Sequence, residues 1–404
     1  MPCQEAESYL LNKILYGLFK KYQIKLVKPN FSSLKHIFKF DYSFEKDLKS
    51  KIEIEEIKNN YFELILIKIF RKLLIKLFYD SNHIDLVSYF WQQKVIKYLK
   101  NKKNLDYTIL SWSNPLANHK AVLEIQKKIN IKWIAYISDP ISDNPYSYKK
   151  NFYLKKIDSH IEKKILNRAN KVIVTSKNYQ NKIISNNVNN INKLVYVPHS
   201  FNKFEPSINN NSISINLDFD YINLLHLGSL YGLRNPITFI NLLSNLSLFE
   251  SKLRVYFVGF IEKKIFLSLK NYKSYFNKSI FFIDPISYLD SLKLFNNFDV
   301  LINIDGPNDK GLFLPSKFID YLSSKKPIYS LTSKNSEVDR ISKDLNLRCS
   351  YYSDLPNVTN PSLSKFFLES KKYQLNNKYR SLRDAYSLNN QSLKFSNIID
   401  NLSN

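Results

Sequence analysis

Glycine is scarce in this chain, with six in 404 residues. Five of them (Gly228, Gly232, Gly259, Gly306 and Gly311) fall between 228 and 311. Glycine so concentrated marks loops where the backbone turns sharply or comes close to a ligand. Ordinary turns of an α/β sheet account for Gly306 and Gly311 equally well. Cysteine is scarcer still. Cys3 and Cys349 alone give neither a disulfide framework nor a metal-ligand spacing, which fits a reducing cytosol. The six histidines show no HExxH or other metal pattern. No uncharged stretch reaches the ~20 residues of a membrane-spanning helix. The opening MPCQEAESYLL lacks the basic start and apolar run of a signal peptide. Zinc-finger spacing, ribonucleoprotein motifs and helix-turn-helix patterns are absent, so no nucleic-acid partner is expected. There is no internal repeat.

What is present is apolar and basic. At 44% hydrophobic and 404 residues, the chain exceeds one typical core and predicts two domains. Its net charge of +25 is partly the drift of a Lys-, Asn- and Ile-rich composition. Residues 1–200 carry +18 of it and residues 201–404 only +7. A basic first half favours an anionic membrane surface or a polyanionic partner.

The pattern alternates. Helices are expected at Glu5–Lys21, Tyr61–Tyr79, Asp85–Lys100, Ala117–Ile129, Phe152–Arg168 and Asn178–Ser185. Strands are expected at Ile24–Val27, Tyr107–Trp112, Trp133–Ile137, Val172–Thr175 and Leu194–Val197. HIFKFDYSF, within the ambiguous stretch 28–60, reads as a strand followed by a polar loop. Such alternation implies parallel sheets covered by helices. Residues 201–220, rich in Asn and Ser, read as a linker. The pattern restarts at Tyr221.

Two segments of the second half carry the chemistry. Asp299–Ile328 (DVLINIDGPNDKGLFLPSKFIDYLSSKKPI) reads as a buried strand, a polar loop and a helix opened by Pro315. Free amides at a helix start attract phosphate, and Ser316 and Lys317 stand there. Asp320, three residues on, shares the face and offers an acceptor for ribose hydroxyls. Earlier, Tyr221–Leu227 (YINLLHL) is followed by GSLYGLRNP and the helix-like ITFINLLSNL. Strand, Gly-containing loop and helix form a phosphate cradle, although the loop is not GxGxxG. Gly228 allows close approach, and Arg234 can fork onto phosphate oxygens.

HLGSLYGLRNP, VYFVG (255–259), FFIDPIS (281–287) and LPSKFIDYLSSKKPI resemble, in order and spacing, the donor-binding half of glycosyltransferase family 4. The resemblance continues more faintly through ILSWSNPLANHKA, WIAYISDP, ANKVIVTSKN and VYVPHSFN. It implies an α/β protein of GT-B architecture, two Rossmann-like doubly wound domains facing a cleft. The expected boundaries are 1–200 for the acceptor side, 201–220 for the linker and 221–385 for the nucleotide-sugar domain. Residues 386–404 would form a helix that packs back on the first domain, with Ser387–Ser403 as the candidate. It implies a retaining transferase that moves a sugar from a nucleoside diphosphate sugar to a glycan or lipid-linked acceptor in cell-surface polysaccharide synthesis. No metal or other cofactor is implied.

Carried over residue by residue, the resemblance places Gly228, Arg234, Ser316 and Lys317 on the diphosphate. Asp284, Pro285, Ile286 and Asp320 would hold base and ribose, and Asp139 and His119 would lie near the reaction. Helix capping or packing is an equal reading for His119. The family's Glu-x7-Glu pair is altered, with Leu312 at the first position and Asp320 at the second. That puts the donor sugar in doubt. The family also has an apolar strand before the point where this chain opens, so the first strand is expected to be missing or encoded upstream of Met1. Asp218-Phe219-Asp220 is a DxD best read as chance. Trp91 and Trp112 are expected in the core. Tyr61–Tyr79, with Lys68, Arg71, Lys72 and Lys76 at helical spacing, reads two ways: a membrane-interface helix, or a core helix with a basic edge. The first would hold a cytoplasmic protein at the inner face of the membrane. The rival readings of the whole are a nucleotide-sugar 2-epimerase, and a non-catalytic or degenerate GT-B protein that binds a polyanion or membrane surface.

Overall fold

The structure, a computed structural model, describes residues 6–30, 32, 41, 48–78, 85–102, 107–144, 152–186, 192–202, 215–308, 310–355 and 360–403. The strand expected within HIFKFDYSF and most of the expected linker lie outside these residues. The chain divides into two units. One comprises Met1–Pro198 with Gln391–Asn404, the other His199–Asn390.

The first unit holds two parallel sheets. β1 (Lys25–Pro29) pairs with β2 (Glu53–Ile57). β3 (Thr108–Trp112), β4 (Lys132–Ile137), β5 (Lys171–Val174) and β6 (Leu194–Tyr196) pair in that order. The helices are α1 (Ala6–Leu18), α2 (Tyr61–Phe78), α3 (Leu86–Lys100), α4 (Ala117–Ile125), α5 (Phe152–Arg168) and α6 (Lys177–Asn186). β4 is an apolar run buried along five of its six residues, as a parallel strand covered on both faces should be. β2 was not expected, because its EIEEI sequence is unfavourable for a strand. It is held by charge across the ladder: the Lys25 ammonium lies 2.6 Å from both Glu53 and Glu55.

The second unit is one six-stranded parallel sheet. Its strands are β7 (Ile222–Leu227), β8 (Leu253–Val258), β9 (Ile280–Ile283), β10 (Val300–Ile304), β11 (Ile328–Thr332) and β12 (Arg348–Tyr351). They lie in the order β12-β11-β10-β7-β8-β9. Counted within the unit, the order is 6-5-4-1-2-3, the doubly wound arrangement of nucleotide-binding domains. Two apolar cores cover the sheet, one around Phe239, Phe257 and Tyr329, the other around Leu225, Phe318 and Tyr321. Its helices include α7 (Ile237–Ser244), α8 (Tyr288–Leu294), α9 (Ser316–Tyr321) and α10 (Glu337–Asp344).

Phe201 differs from its expected place in a linker. It is 1% exposed in the second core. Its amide donates to Tyr386 O at 3.1 Å, and its carbonyl accepts from the Leu388 amide at 2.8 Å. The last helix, α11 (Leu388–Ser403), starts in the second unit and belongs to the first from Gln391 onward. There the Tyr22 hydroxyl donates to Asp400 at 2.7 Å and Phe395 stacks on Tyr136.

Candidate functional site

In the second unit the strand order reverses between β7 and β10, which pair with each other while their successors run to opposite sides. Loops leaving a sheet at such a point diverge, and the crevice outside the strand ends is where ligands bind. Gly228 follows β7 there and Asp305 follows β10.

The β7 loop is shaped by close approach. Gly228 has φ +112°, and a Cβ on it would lie 3.1 Å from Lys317 Nζ. The backbone passes close under the ammonium, at a φ that residues with a side chain rarely adopt. Gly259, with φ +145°, ends β8 beside it, and a Cβ there would meet the Gly228 carbonyl oxygen at 2.6 Å. Gly306 is tight for a different reason: a Cβ would meet Leu233 at 2.8 Å. Gly259, Gly306 and Gly311 are thus required by contact, the last because a Cβ would lie 2.5 Å from Ser336 Cα, and Gly228 by its φ.

α9 is short. Pro315 is its N-cap, with extended ψ of 126°, and the helix runs six residues from Ser316. So short a helix adds little dipole, and the positive character of the site comes from side chains. Lys317 is half-buried, and its ammonium lies 3.2 Å from His226 Nε2. His226 is fully buried, and its Nδ1 faces the Ile302 carbonyl at 3.1 Å. That contact fixes the proton on Nδ1 and leaves Nε2 as the acceptor for Lys317. Burial, then the Lys317 charge, holds the imidazole pKa well below its ordinary value. Burial, then the Arg234 guanidinium, pushes the Lys317 ammonium well down, and Asp305 acts in the opposite sense. Asp305 is 7% exposed. Burial raises its carboxyl pKa, while Arg234 and a hydrogen bond from Thr332 lower it. The arrangement is a guanidinium and an amine whose charge burial disfavours, over a neutral imidazole, with one carboxylate that burial also disfavours. An anion carrying more than one charge would relieve the repulsion between Lys317 and Arg234.

The residues expected on base and ribose also converge. Asp284 and Pro285 are exposed after β9, and Ile286 is half-buried. The loop runs into α8, whose N-cap Ser287 accepts from the Asp290 amide. The first residue of α8, Tyr288, donates its hydroxyl to Asp320 Oδ1 at 3.1 Å. Asp320 is 6% exposed. This hydrogen bond ties the β9 loop to α9. Tyr321 anchors α9 to the sheet, accepting from the Leu227 amide at 2.8 Å and donating to Ile302 O. Leu312 is 4% exposed and offers no polar group where the family's first acid would stand.

Residue-level reading missed His226, Asp305 and Tyr288. A histidine inside an otherwise apolar strand, two residues before Gly228, was the available signal for the first.

The two residues expected near the reaction lie in the first unit. Asp139 is half-buried just past the carboxyl end of β4, the edge where parallel sheets place ligands. His119 is fully buried on α4, its Nδ1 2.7 Å from Ser111 Oγ. Ser111 Oγ in turn accepts from Trp133 Nε1 at 2.7 Å. Desolvation lowers its pKa to about 4. His119 is thus enclosed in the first unit, with Ser111 as its partner. Trp91 and Trp112 are in the core, at 7% and 4% exposed. Asp218 pairs with Arg254 at 2.9 Å, so the DxD is engaged elsewhere. Among the described residues no group of three His, Cys, Asp or Glu is placed to hold a metal ion.

α2 departs from a core helix. Ile67 is buried, whereas Tyr61, Phe62, Ile69 and Leu73 are 81%, 67%, 59% and 51% exposed. Among the described residues no helix is long and apolar enough to cross a membrane.

No family model matches the sequence, and no curated protein does. Solved structures match, two of them over nearly the whole chain. HepE of Anabaena, solved with UDP and glucose, is similar at a TM-score of 0.65 and 11% identity, covering 99% of this chain and 97% of that one. A glycosyltransferase of Rickettsia africae is similar at 0.59 and 14% identity, covering 98% and 94%. Sucrose-phosphate synthase of Thermosynechococcus elongatus is similar at 0.60 and 12%, covering 77% of each chain. At these identities the likeness establishes the fold, which is the GT-B one of Rossmann-like units.

Proposed function

We propose that the protein is a glycosyltransferase that takes a sugar from a nucleoside diphosphate sugar held by its second unit. The observation that carries this reading is Lys317 lying over Gly228 at the strand-order reversal, within reach of the Arg234 charge. Proteins of like fold solved with UDP and with UDP-glucose support it. In this reading Lys317 and Arg234 neutralise the diphosphate, Asp320 accepts from the ribose, and backbone of the Asp284–Ile286 loop meets the base.

Charge develops on the departing diphosphate, and fixed cations aimed there stabilise the transition state more than the ground state. The acceptor hydroxyl oxygen forms its bond to the anomeric carbon as the bond from that carbon to the phosphate oxygen breaks. The hydroxyl proton passes to the departing phosphate. Attack from the leaving-group face retains configuration, as the family resemblance implies. The two cations perform the neutralisation for which other transferases use a metal ion. The epimerase alternative would call for acidic and histidine catalytic groups, and His226 has both ring nitrogens engaged, by Ile302 O and Lys317. Cell-surface polysaccharide is the expected product class, again by resemblance. α2 is the proposed contact with the inner face of the membrane.

The test is thermal unfolding of the protein with UDP, GDP, dTDP and ADP, beside a Lys317→Ala variant. A ligand at ~100 times its dissociation constant adds roughly 2.7 kcal/mol of stability. Stabilisation by one nucleotide, weakened in the variant, supports the reading and names the base. No stabilisation of a folded protein by any of the four overturns it.

A further inference from the structure

Asp305 has no part in the transfer described above, yet it stands at the same crevice. It is the first residue past β10, as Gly228 is the first past β7. Those strands are hydrogen-bonded neighbours, with Val300 opposite Leu224 and Leu301 opposite Leu225, so their ends lie side by side. On its other side β10 keeps its ladder with β11 for one more residue, since the Asp305 amide donates to Leu331 O at 3.0 Å. Residues an even number apart along a strand share a face. Asp305 therefore shares the face of Leu301, which lies in one core with Phe318 and Ile319 of α9. α9 is the helix from which Lys317 reaches Gly228.

The carboxylate is fixed there. Thr332 Oγ1 donates to its Oδ2 at 3.2 Å and lies 2.9 Å from Ser336 Oγ, on the N-cap of α10. The Tyr352 hydroxyl donates to Asp305 O, and Gly306 is pressed against Leu233. Held from both sides and buried, the group stays beside Lys317 and Arg234. Of the charges acting on Lys317, Arg234 opposes the ammonium and Asp305 supports it. Both basic groups act in turn on Asp305. A negative charge fixed in that position repels an anion bound to the same two groups, in proportion to the charge the anion carries.

That proportion separates substrate from product. The diphosphate of a nucleotide sugar carries two negative charges. The nucleoside diphosphate left after transfer gains a third above pH ~6, where its terminal phosphate loses a second proton. Resting on the transferase reading, we propose that Asp305 discriminates by charge within the donor site: it lets Lys317 and Arg234 hold the nucleotide sugar and weakens their hold on the more highly charged nucleotide that the transfer leaves behind. Asp305 also supports the Lys317 charge, but for substrate and product alike, so that influence cancels in their ratio. With the two basic groups alone, the product would be the better-bound anion and would leave slowly, and release of product limits turnover in many enzymes. The same repulsion opposes charge development on the departing diphosphate, so faster release comes with a slower chemical step.

The test compares two ligands by titration calorimetry on the wild-type, Asp305→Asn and Asp305→Ser proteins. One ligand is the nucleoside diphosphate that stabilises the protein against heat. The other is its β-methyl ester, which keeps the base, ribose and both phosphates and lacks the third charge. At pH 8 both variants should tighten the diphosphate relative to its ester by roughly tenfold, the scale of one extra charge pair in a partly screened site. At pH 5, where the terminal phosphate regains its proton, the gain should largely disappear. Two neutral replacements are used so that a folding defect in one leaves the comparison standing, and thermal unfolding confirms the fold of each. An unchanged ratio at pH 8 in a folded variant overturns the proposal, including the case where both ligands weaken equally and Asp305 is a structural support. A change of equal size at both pH values also overturns it, because shape rather than charge would then be at work. If no nucleoside diphosphate binds the wild-type protein, the transferase reading falls and this inference falls with it.

Discussion

Lys317 sits where a positive charge is poorly solvated and close to another. Its pKa is depressed in the free protein by burial and Arg234, and a bound diphosphate reverses both influences. Binding should therefore take up a proton, and affinity should fall as pH rises through the depressed value. Calorimetry at one pH in two buffers of unlike ionisation heat measures the uptake, which Lys317→Met should abolish. Lys317→Ala should weaken nucleotide binding ~10- to 100-fold, the weight of a lost charge-assisted hydrogen bond. His119 has a different pH signature. Its folded pKa, about 4, is below the ordinary ~6.5 of the unfolded chain, so the folded state favours the neutral ring. Its stabilising contribution is complete above about pH 6.5 and is lost as pH falls toward 4, by roughly 3 kcal/mol. His226, also depressed, adds in the same direction. Denaturant unfolding between pH 7 and 4 should show the decline, with a shallower slope in His119→Gln.

At the scale of elements, the junction of β7 and β8 is tightly constrained. Gly259→Ala places a methyl group against the Gly228 carbonyl at a φ that L-residues avoid. It should cost at least ~2 kcal/mol and displace the loop beneath Lys317. Unfolding midpoints and nucleotide affinity of the variant check both effects. The strands here were legible because each is a short apolar run between Gly- or Asn-containing loops, as YINLLHL and DVLINI are. The helix edges were legible to within a few residues. β2 was not, since its cohesion comes from Lys25 across the ladder rather than from its own sequence. Within the site, Gly228, Arg234 and Lys317 were readable as residues that suit phosphate. The His226–Lys317 contact and the Tyr288–Asp320 bond span 91 and 32 positions, and no local pattern encodes them. That α9 stops after six residues is likewise not readable from the sequence around Pro315.

For the molecule as a whole, charge and apolar exposure coincide on α2, where Lys68 and Lys72 are exposed beside Phe62, Ile69 and Leu73. Such a helix should bind vesicles containing phosphatidylserine and release them in high salt. Replacing Phe62 and Ile69 with serine should reduce co-sedimentation several-fold at unchanged thermal stability. A final consequence follows from the path of the chain. The second unit is a single insertion, 199–390, whose two ends meet at the bridge between Phe201 and Ser387. During synthesis its whole sheet emerges and can close before the last fourteen residues of the first unit exist. The first unit, although it is translated first, must wait for Phe395 to reach Tyr136 and Asp400 to reach Tyr22. The nascent protein should therefore close the crevice at Gly228 and Lys317 before its other half is complete, and a ribosome stalled near residue 390 should display a folded second unit while the first is unfinished.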